Sequence, residues 1–259
     1  MMNKNKEILI VPDVHGRSFW VEHVNKYLIE TDCKIIFLGD YLDPYYDDFF
    51  NEKDKPIFTN LKTMTEVQEN NIKMLLDIIE LKKKYTERII LLLGNHDCGY
   101  IYGENFCNCR TDKFNKIKIK NIFHENINIF QLAHEEYIND KHFIFTHAGI
   151  NKKYAYDCFG DEVNEDNVVT LFNNAFKNNN YGVIESLTLY SHYRGGWRSN
   201  YGSLIWADVR EWYDDGNEPY GYPIIGHTQL SYCLIKDNLA CLDSRECFII
   251  NKQGEIKKL

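Results

Sequence analysis

Five short apolar runs in the chain each stop at a residue that metal ions favour: ILIVPDVHGR, KIIFLGDYLD, RIILLLGNHD, HFIFTHAGI and GYPIIGHTQ. Residues 8–11, 35–38, 89–93, 143–145 and 224–225 are continuous rather than alternating, the pattern of strands covered on both faces. Such strands lie inside layered α/β proteins, where ligands gather beyond the carboxyl ends. The run ends carry Asp13 and His15, Asp40 and Asp43, Asn95 with His96 and Asp97, His147, and His227, so these side chains are expected to converge. In an extended strand residues two apart share a side, so Asp13 and His15 can face one cation if the strand stays extended through Val14.

A chain of 259 residues with 44% hydrophobic content can bury a sizeable core, and we expect one α/β domain over 1–259. The net charge of −8 comes with scattered Lys and Arg, which argues against nonspecific nucleic-acid binding. Eight cysteines follow no metal-ligand spacing, and Cys107 and Cys109, with Cys98 nearby, are read as ordinary thiols. The N-terminus runs directly into the first strand with no secretory signal, so a reducing cytoplasm is the expected location. No apolar run has the length needed to cross a bilayer.

Apolar spacing predicts helices over 17–29, 64–85 and 163–176, with 98–121 irregular and strands at 127–132 and 142–146. Residues 44–62 form an aromatic, acidic loop that is either a substrate lid or a surface loop packed by its own rings. Short runs at 204–206, 222–225, 232–235, 240–242 and 247–250 suggest a second sheet packed on the first. His23, His124, His134, His142 and His192 stand outside the motifs and are read as structural or surface residues.

The order D-x-H-G, G-D-x-x-D, G-N-H-D, T-H-A-G and G-H-T resembles the calcineurin-like metallophosphoesterases, in particular the branch of phosphoprotein phosphatases and diadenosine tetraphosphatases. The resemblance covers residues 10 to about 250. It implies a four-layer α/β sandwich of two central mixed β-sheets flanked by α-helices. It also implies two divalent metal ions, Mn first, with Fe, Zn or Ni as alternatives. Asp13, His15 and Asp40 would hold one ion, and Asp40, Asn95, His147 and His227 the other. A hydroxide bridging the ions would be the nucleophile on a phosphate ester. His96 would protonate the leaving group and Asp43 would orient it, the catalytic pair that the resemblance implies.

Three positions depart from that pattern. Pro44 stands where the phosphoprotein phosphatases carry an Arg, which removes one phosphate clamp; Arg194, Arg198 and Arg210 are the substitutes, Arg194 favoured for its Tyr-Arg-Gly-Gly setting. Tyr193 and Trp197 either stack a base or pack the core, and the core reading is preferred. Pro12 precedes Asp13 where Gly is usual, and Gly226-His227-Thr228 lacks the second His of the nuclease form. The expected partner is a phosphorylated substrate, whether protein, small molecule or nucleotide, with neither a membrane nor nucleic acid. A phosphomonoesterase, a dinucleoside polyphosphate hydrolase and a catalytically silent scaffold are the competing readings.

Overall fold

The computed structural model describes residues 6–44, 64–103, 106, 109–196 and 199–259. Most of the 44–62 loop, Cys107, Trp197 and Arg198 lie outside them. Among the described residues there are seven α-helices and two mixed sheets.

The first sheet is built on β1 (Ile8–Val11), β2 (Lys34–Phe37), β3 (Ile89–Leu92) and β4 (Phe130–Gln131), all parallel. Strands β10 (Phe248–Ile250) and β11 (Ile256–Lys258) extend it antiparallel beyond β1. The second sheet contains β5 (Ala133–Ile138), β6 (Lys141–Thr146), β7 (Tyr222–Ile225), β8 (Leu234–Ile235) and β9 (Ala240–Cys241), in the order β5-β6-β7-β9-β8.

Strand alternation divides the first sheet's side chains between two layers. Ile8, Ile10, Ile36, Leu38, Leu92, Phe248 and Ile250 form one apolar layer with Phe143, Phe145, Tyr222 and Ile224 of the second sheet. Leu9, Val11, Ile35, Phe37, Ile89 and Leu91 point the other way. They join Val24 and Leu28 of α1 (Val21–Glu30) and Ile72, Leu75, Ile78 and Ile79 of α2 (Met64–Lys84). The second sheet's far side is covered in part by α6 (Val168–Lys177), whose Asn173 amide accepts from Leu132 and Ala133 N–H and donates to the Ala133 carbonyl. Val209 and Trp212 cover Ala148, Ile225 and Cys241. These are the four layers of the expected sandwich. Both faces of β1 to β3 are buried, which is why those strands read as unbroken apolar runs.

Several elements differ from expectation for identifiable reasons. Helix α1 starts at Val21 rather than at 17, because residues 14–17 form a turn closed by Arg17 N–H on the Val14 carbonyl. The stretch 98–121 is not irregular: it holds the C-terminal part of α3 (Asn95–Tyr102) and the first six residues of α4 (Lys116–Glu125). Helix α3 is buried from Asn95 to Ile101, so it shows no amphipathic period. Residues 204–206 form a turn, with the Ser203 carbonyl accepting from Trp206 and Ala207, although Leu204 and Ile205 are fully buried. Phe248–Ile250 returns to the first sheet, pairing Ile8 with Ile250 and Ile10 with Phe248, instead of joining the second. Strand β5 is set by Asn139 and Asp140, both left-handed, which make the two-residue turn that suits a right-twisted hairpin. Helices α5 (Lys152–Phe159) and α7 (Tyr181–Ser186) complete the set.

Phe248 is fully buried between the sheets on the strand that returns last, so Phe248→Ala removes packing from both layers. We expect a loss of about 3–5 kcal/mol in urea unfolding. A loss below about 0.5 kcal/mol, the usual range for a surface change, would place this strand outside the core.

Candidate metal centre and active site

The loops leaving β1 and β2 run side by side past the sheet's edge. His15 N–H donates to the Asp40 carbonyl at 2.7 Å and Gly16 N–H to that of Tyr41 at 2.9 Å. The backbone then reverses hand. His15, Asp40, Asp43 and His227 have φ of 45°, 50°, 63° and 62°, half of the eight left-handed non-glycine residues among those described. The condition of a strand extended through Val14 is not what brings Asp13 and His15 together: β1 ends at Val11, and His15 reaches the site by a left-handed turn. Conformations of this kind cost on the order of 1–3 kcal/mol each and persist only where the surroundings impose them.

The imposing group at Asp40 is Asp97. Its Oδ2 accepts from Asp40 N–H at 2.7 Å and Gly94 N–H at 2.9 Å, and its Oδ1 from Tyr41 N–H at 3.1 Å. A carboxylate in the first turn of α3 is also well placed for the positive end of the helix dipole. Burial, and then Asp40, push the Asp97 carboxyl up to about 8 against those N–H donors. Asp97 stands at the end of the third apolar run, and no motif gives it a role.

Two glycines let the carboxylates settle. A Cβ on Gly94 would sit 2.1 Å from Asp40 Oδ1, and a Cβ on Gly226 would sit 2.0 Å from Asp13 Oδ1. His227 N–H donates to both Asp13 oxygens, at 3.0 and 3.1 Å, so a first-sheet carboxylate is anchored on the second sheet. The His147 ring makes the reciprocal tie, its Nδ1 donating to the Leu38 carbonyl at 2.9 Å.

With Nδ1 spent on a carbonyl, His147 presents Nε2 to the cluster; His15 does likewise, its Nδ1 lying 2.7 Å from the Leu42 carbonyl. Asp40 Oδ2 stands 3.6 Å from His15 Nε2 and 3.4 Å from His147 Nε2. Asp13 Oδ2 is 4.0 Å from His15 Nε2. Asn95 Oδ1 is 2.9 Å and His227 Nδ1 3.2 Å from His147 Nε2. Ligand bonds of about 2 Å put neighbouring donors roughly 3 Å apart, so this spacing fits. Two groups emerge that share Asp40: His15, Asp40 and His96, and Asp40, His147 and His227. All six expected ligands are brought together, and His96, expected as the acid rather than a ligand, stands inside the first group with His15 and Asp40.

Charge points the same way. Asp13, Asp40, Asp97 and Asp243 are each 3% exposed or less, and burial, then Asp13, raise the Asp243 carboxyl well above the usual carboxylate range, with the buried Arg17 guanidinium only partly opposing. Burial pushes Asp13 up to about 6, with His147 opposing and Asp40 adding to the rise. Burial also works against the charge on Asp40, but His147, His96 and His15 hold it well below the usual carboxylate range. For His147 burial lowers the pKa, yet Asp40 and Asp13 lift it to about 10. Buried acids in this excess, with neutral-capable imidazole and amide donors around them, suit a pair of divalent cations.

His96 has its own arrangement. Its Nδ1 is 2.8 Å from Asp43 Oδ2, and the ring meets that of His15 edge-on at 5.1 Å. Burial would discharge this imidazole, but Asp40 and the Asp43 hydrogen bond raise it to about 9. His96 N–H donates to Asp40 Oδ1 at 2.9 Å, which ties the imidazole's backbone to the shared carboxylate.

The arginines separate. Arg194 Nη2 reaches Thr228 Oγ1 at 3.0 Å, beside His227, and its Nε lies 2.8 Å from Asp208 Oδ2. Arg210 grips Asp208 with two nitrogens, at 2.7 and 3.0 Å, and lies over the Tyr193 ring. Arg198 lies outside the described residues. Arg110 was not anticipated, yet its Nη2 donates to the Asp43 carbonyl at 3.0 Å. Tyr193 donates to Asp214, whereas Trp206 stands edge-on to His227 at 5.4 Å. His124, His134 and His142 bond to Ile101, Glu136 and Glu135 away from the cluster. No helix among the described residues is long and apolar enough to cross a membrane.

Residues 6–229 match the family model described as calcineurin-like phosphoesterase. No curated protein matches the chain significantly. Among solved structures, a cold-active protein tyrosine phosphatase superposes with a TM-score of 0.54 at 14% identity, over 98% of this chain and 78% of that one. A protein serine/threonine phosphatase from Saccharomyces cerevisiae gives 0.54 at 12% identity, over 99% and 80%. These likenesses establish a shared fold.

A ligand imidazole must be neutral, whereas His147 in the metal-free protein keeps its proton up to about pH 10. If His147 is a ligand, cation binding displaces that proton, and affinity should rise with pH from neutrality towards 10. Calorimetric titration with Mn²⁺ near neutrality, in buffers of different ionisation heat, is expected to show release of about one proton from this group. Binding without proton release would show that His147 is already neutral before the cation arrives, and a His147→Ala variant with unchanged Mn²⁺ affinity would remove the residue from the ligand set.

Proposed function

The chain belongs to the calcineurin-like phosphoesterase family and is a metal-dependent phosphoester hydrolase; on that premise we propose that it acts on phosphomonoesters with poor leaving groups. The supporting observation is His96, an imidazole fixed by Asp43 at 2.8 Å, raised to about 9 and grouped with His15 and the shared Asp40. An alkoxide or phenoxide leaves slowly unless it is protonated, so an imidazolium held at this point has a task. A nucleotide leaving from an anhydride already departs as a stabilised phosphate. That contrast favours the monoesterase over a dinucleoside polyphosphate hydrolase.

Asp13, His15 and Asp40 are proposed to hold one ion, and Asp40, Asn95, His147 and His227 the other, with Mn²⁺ as the first choice. When bound, such ions polarise phosphoryl oxygens and lower the pKa of water to near neutrality. The protein's own groups supply the rest. Asp43 keeps the His96 ring in one orientation, and His96 delivers its proton to the departing oxygen. Arg194, next to His227, is the proposed phosphate contact, and Arg198 remains a second candidate. Arg210 serves better as the partner that holds Asp208 in place, since both of its bonds to that carboxylate are made. The phosphorylated substrate, protein or small molecule, is selected by groups outside the metal cluster.

For purified protein with Mn²⁺ and an aryl phosphate, His96→Asn is expected to lower kcat by about 10²–10⁴-fold while changing KM little. Because the His96 pKa is raised, the active imidazolium persists below about 9 and is lost above it, so wild-type kcat should fall through that region. The variant should lack this alkaline limb. Faster turnover of a dinucleoside polyphosphate than of any monoester would overturn the substrate assignment, and chelator-insensitive activity would overturn the metal assignment.

A further inference from the structure

His96 and Tyr100 stand four residues apart on α3, so their side chains share one face of the helix. Both reach the same carboxylate. Asp43 Oδ2 lies 2.8 Å from His96 Nδ1, and Asp43 Oδ1 accepts the Tyr100 hydroxyl at 2.5 Å. The direction of that second bond is fixed by a third: Tyr100 Oη accepts Asp112 N–H at 2.6 Å, which leaves the phenol's one proton for Asp43. Tyr100 is fully buried, so water does not compete for the bond.

The backbone of Asp43 is held as well. It is left-handed, with φ of 63°, and its carbonyl accepts from Arg110 Nη2 at 3.0 Å. The Arg110 carbonyl in turn lies 3.1 Å from His96 Nδ1. Both neighbours of Nδ1 are thus acceptors, so that nitrogen carries its hydrogen and Nε2 is the one free to serve a substrate. One residue earlier, Cys109 Sγ accepts from Asn95 Nδ2 at 3.0 Å, which turns the amide oxygen of Asn95 towards His147. The short stretch 109–112 therefore crosses the first turns of α3 and fastens Asn95, His96 and Tyr100 in succession.

We propose that Tyr100 and Arg110 are positioning residues for the general acid, acting through Asp43: the phenol fixes the carboxylate and the guanidinium fixes its backbone, so that the His96 ring is aimed at the leaving oxygen. The proposal rests on the reading of His96 as that acid. A purely structural role would be carried by the Tyr100 ring, which stacks on Phe123 at 6.4 Å and which phenylalanine would preserve. The hydroxyl is what Tyr100→Phe removes.

The test is a series of aryl phosphates from phenyl to dinitrophenyl phosphate, hydrolysed by the Mn²⁺-loaded protein. Phenoxide needs a proton to leave, whereas dinitrophenoxide does not. For Tyr100→Phe we expect kcat on phenyl phosphate to fall about tenfold with KM unchanged, while dinitrophenyl phosphate changes by less than about twofold. Arg110→Ala, at an exposed side chain, should move the same ratio in the same direction, and it carries the test if Tyr100→Phe fails to fold by circular dichroism. His96→Asn is the reference and should show the largest selective loss on phenyl phosphate. An equal loss on every ester, or none, in the Tyr100 and Arg110 variants alongside a selective loss in His96→Asn would overturn the positioning role alone. If His96→Asn lost activity equally on all esters, the acid reading would fall and the proposal with it.

Discussion

Asp97 lies out of reach of solvent, and its two oxygens take three backbone N–H groups from two separate strand ends. Without a partner each of those buried donors would cost about 1–3 kcal/mol. With one, the turn after β2 and the first turn of α3 become a single piece. That piece sets Asp40 in its left-handed conformation, seats Asp40 Oδ1 over Gly94, and lets His96 N–H close on the same oxygen. The shared carboxylate, the imidazole beside it and the amide of Asn95 all take their places from this one side chain.

The second sheet adds the remaining donors through similarly short links. His147 reaches back 109 residues in sequence to the Leu38 carbonyl, and His227 N–H reaches 214 residues back to Asp13. The site therefore belongs to neither sheet. It is a seam, and the apolar layer formed by Ile10, Ile36, Phe145 and Ile224 sets the distance across it. Mutual repulsion among Asp13, Asp40 and Asp243 is confined there, opposed by Arg17 and by a protonated His147 in the metal-free protein.

Much of this was legible in the chain because the strands bury both faces and stop abruptly at polar residues. Asp13, His15, Asp40, Asn95, His147 and His227 could be placed near one another from that pattern alone. What escaped it has local causes. His15 looks like a strand residue two places after Asp13, and nothing in its side chain announces the turn that φ of 45° requires; only the following Gly16, also left-handed, hints at it. Tyr100 lies on a helix buried on every side, which erases the period that would have revealed the helix. Arg110 sits in a stretch without apolar rhythm, and its bond to the Asp43 carbonyl joins residues 67 apart. Leu204 and Ile205 have the burial of a strand but spend their turn's hydrogen bonds on Ser203.

The left-handed set at His15, Asp40, Asp43 and His227 bears on how a chain like this can drift. Asp, Asn, His and Gly tolerate that region far better than β-branched or bulky residues do. A descendant released from its chemistry would still have to satisfy the backbone at these four positions, and the cheapest replacements are themselves polar or glycine. Silence would thus arrive without much erosion: the outline of the site would outlast its function, and the loss would register first at Asp13, Asn95 and His147, which are not among the left-handed residues.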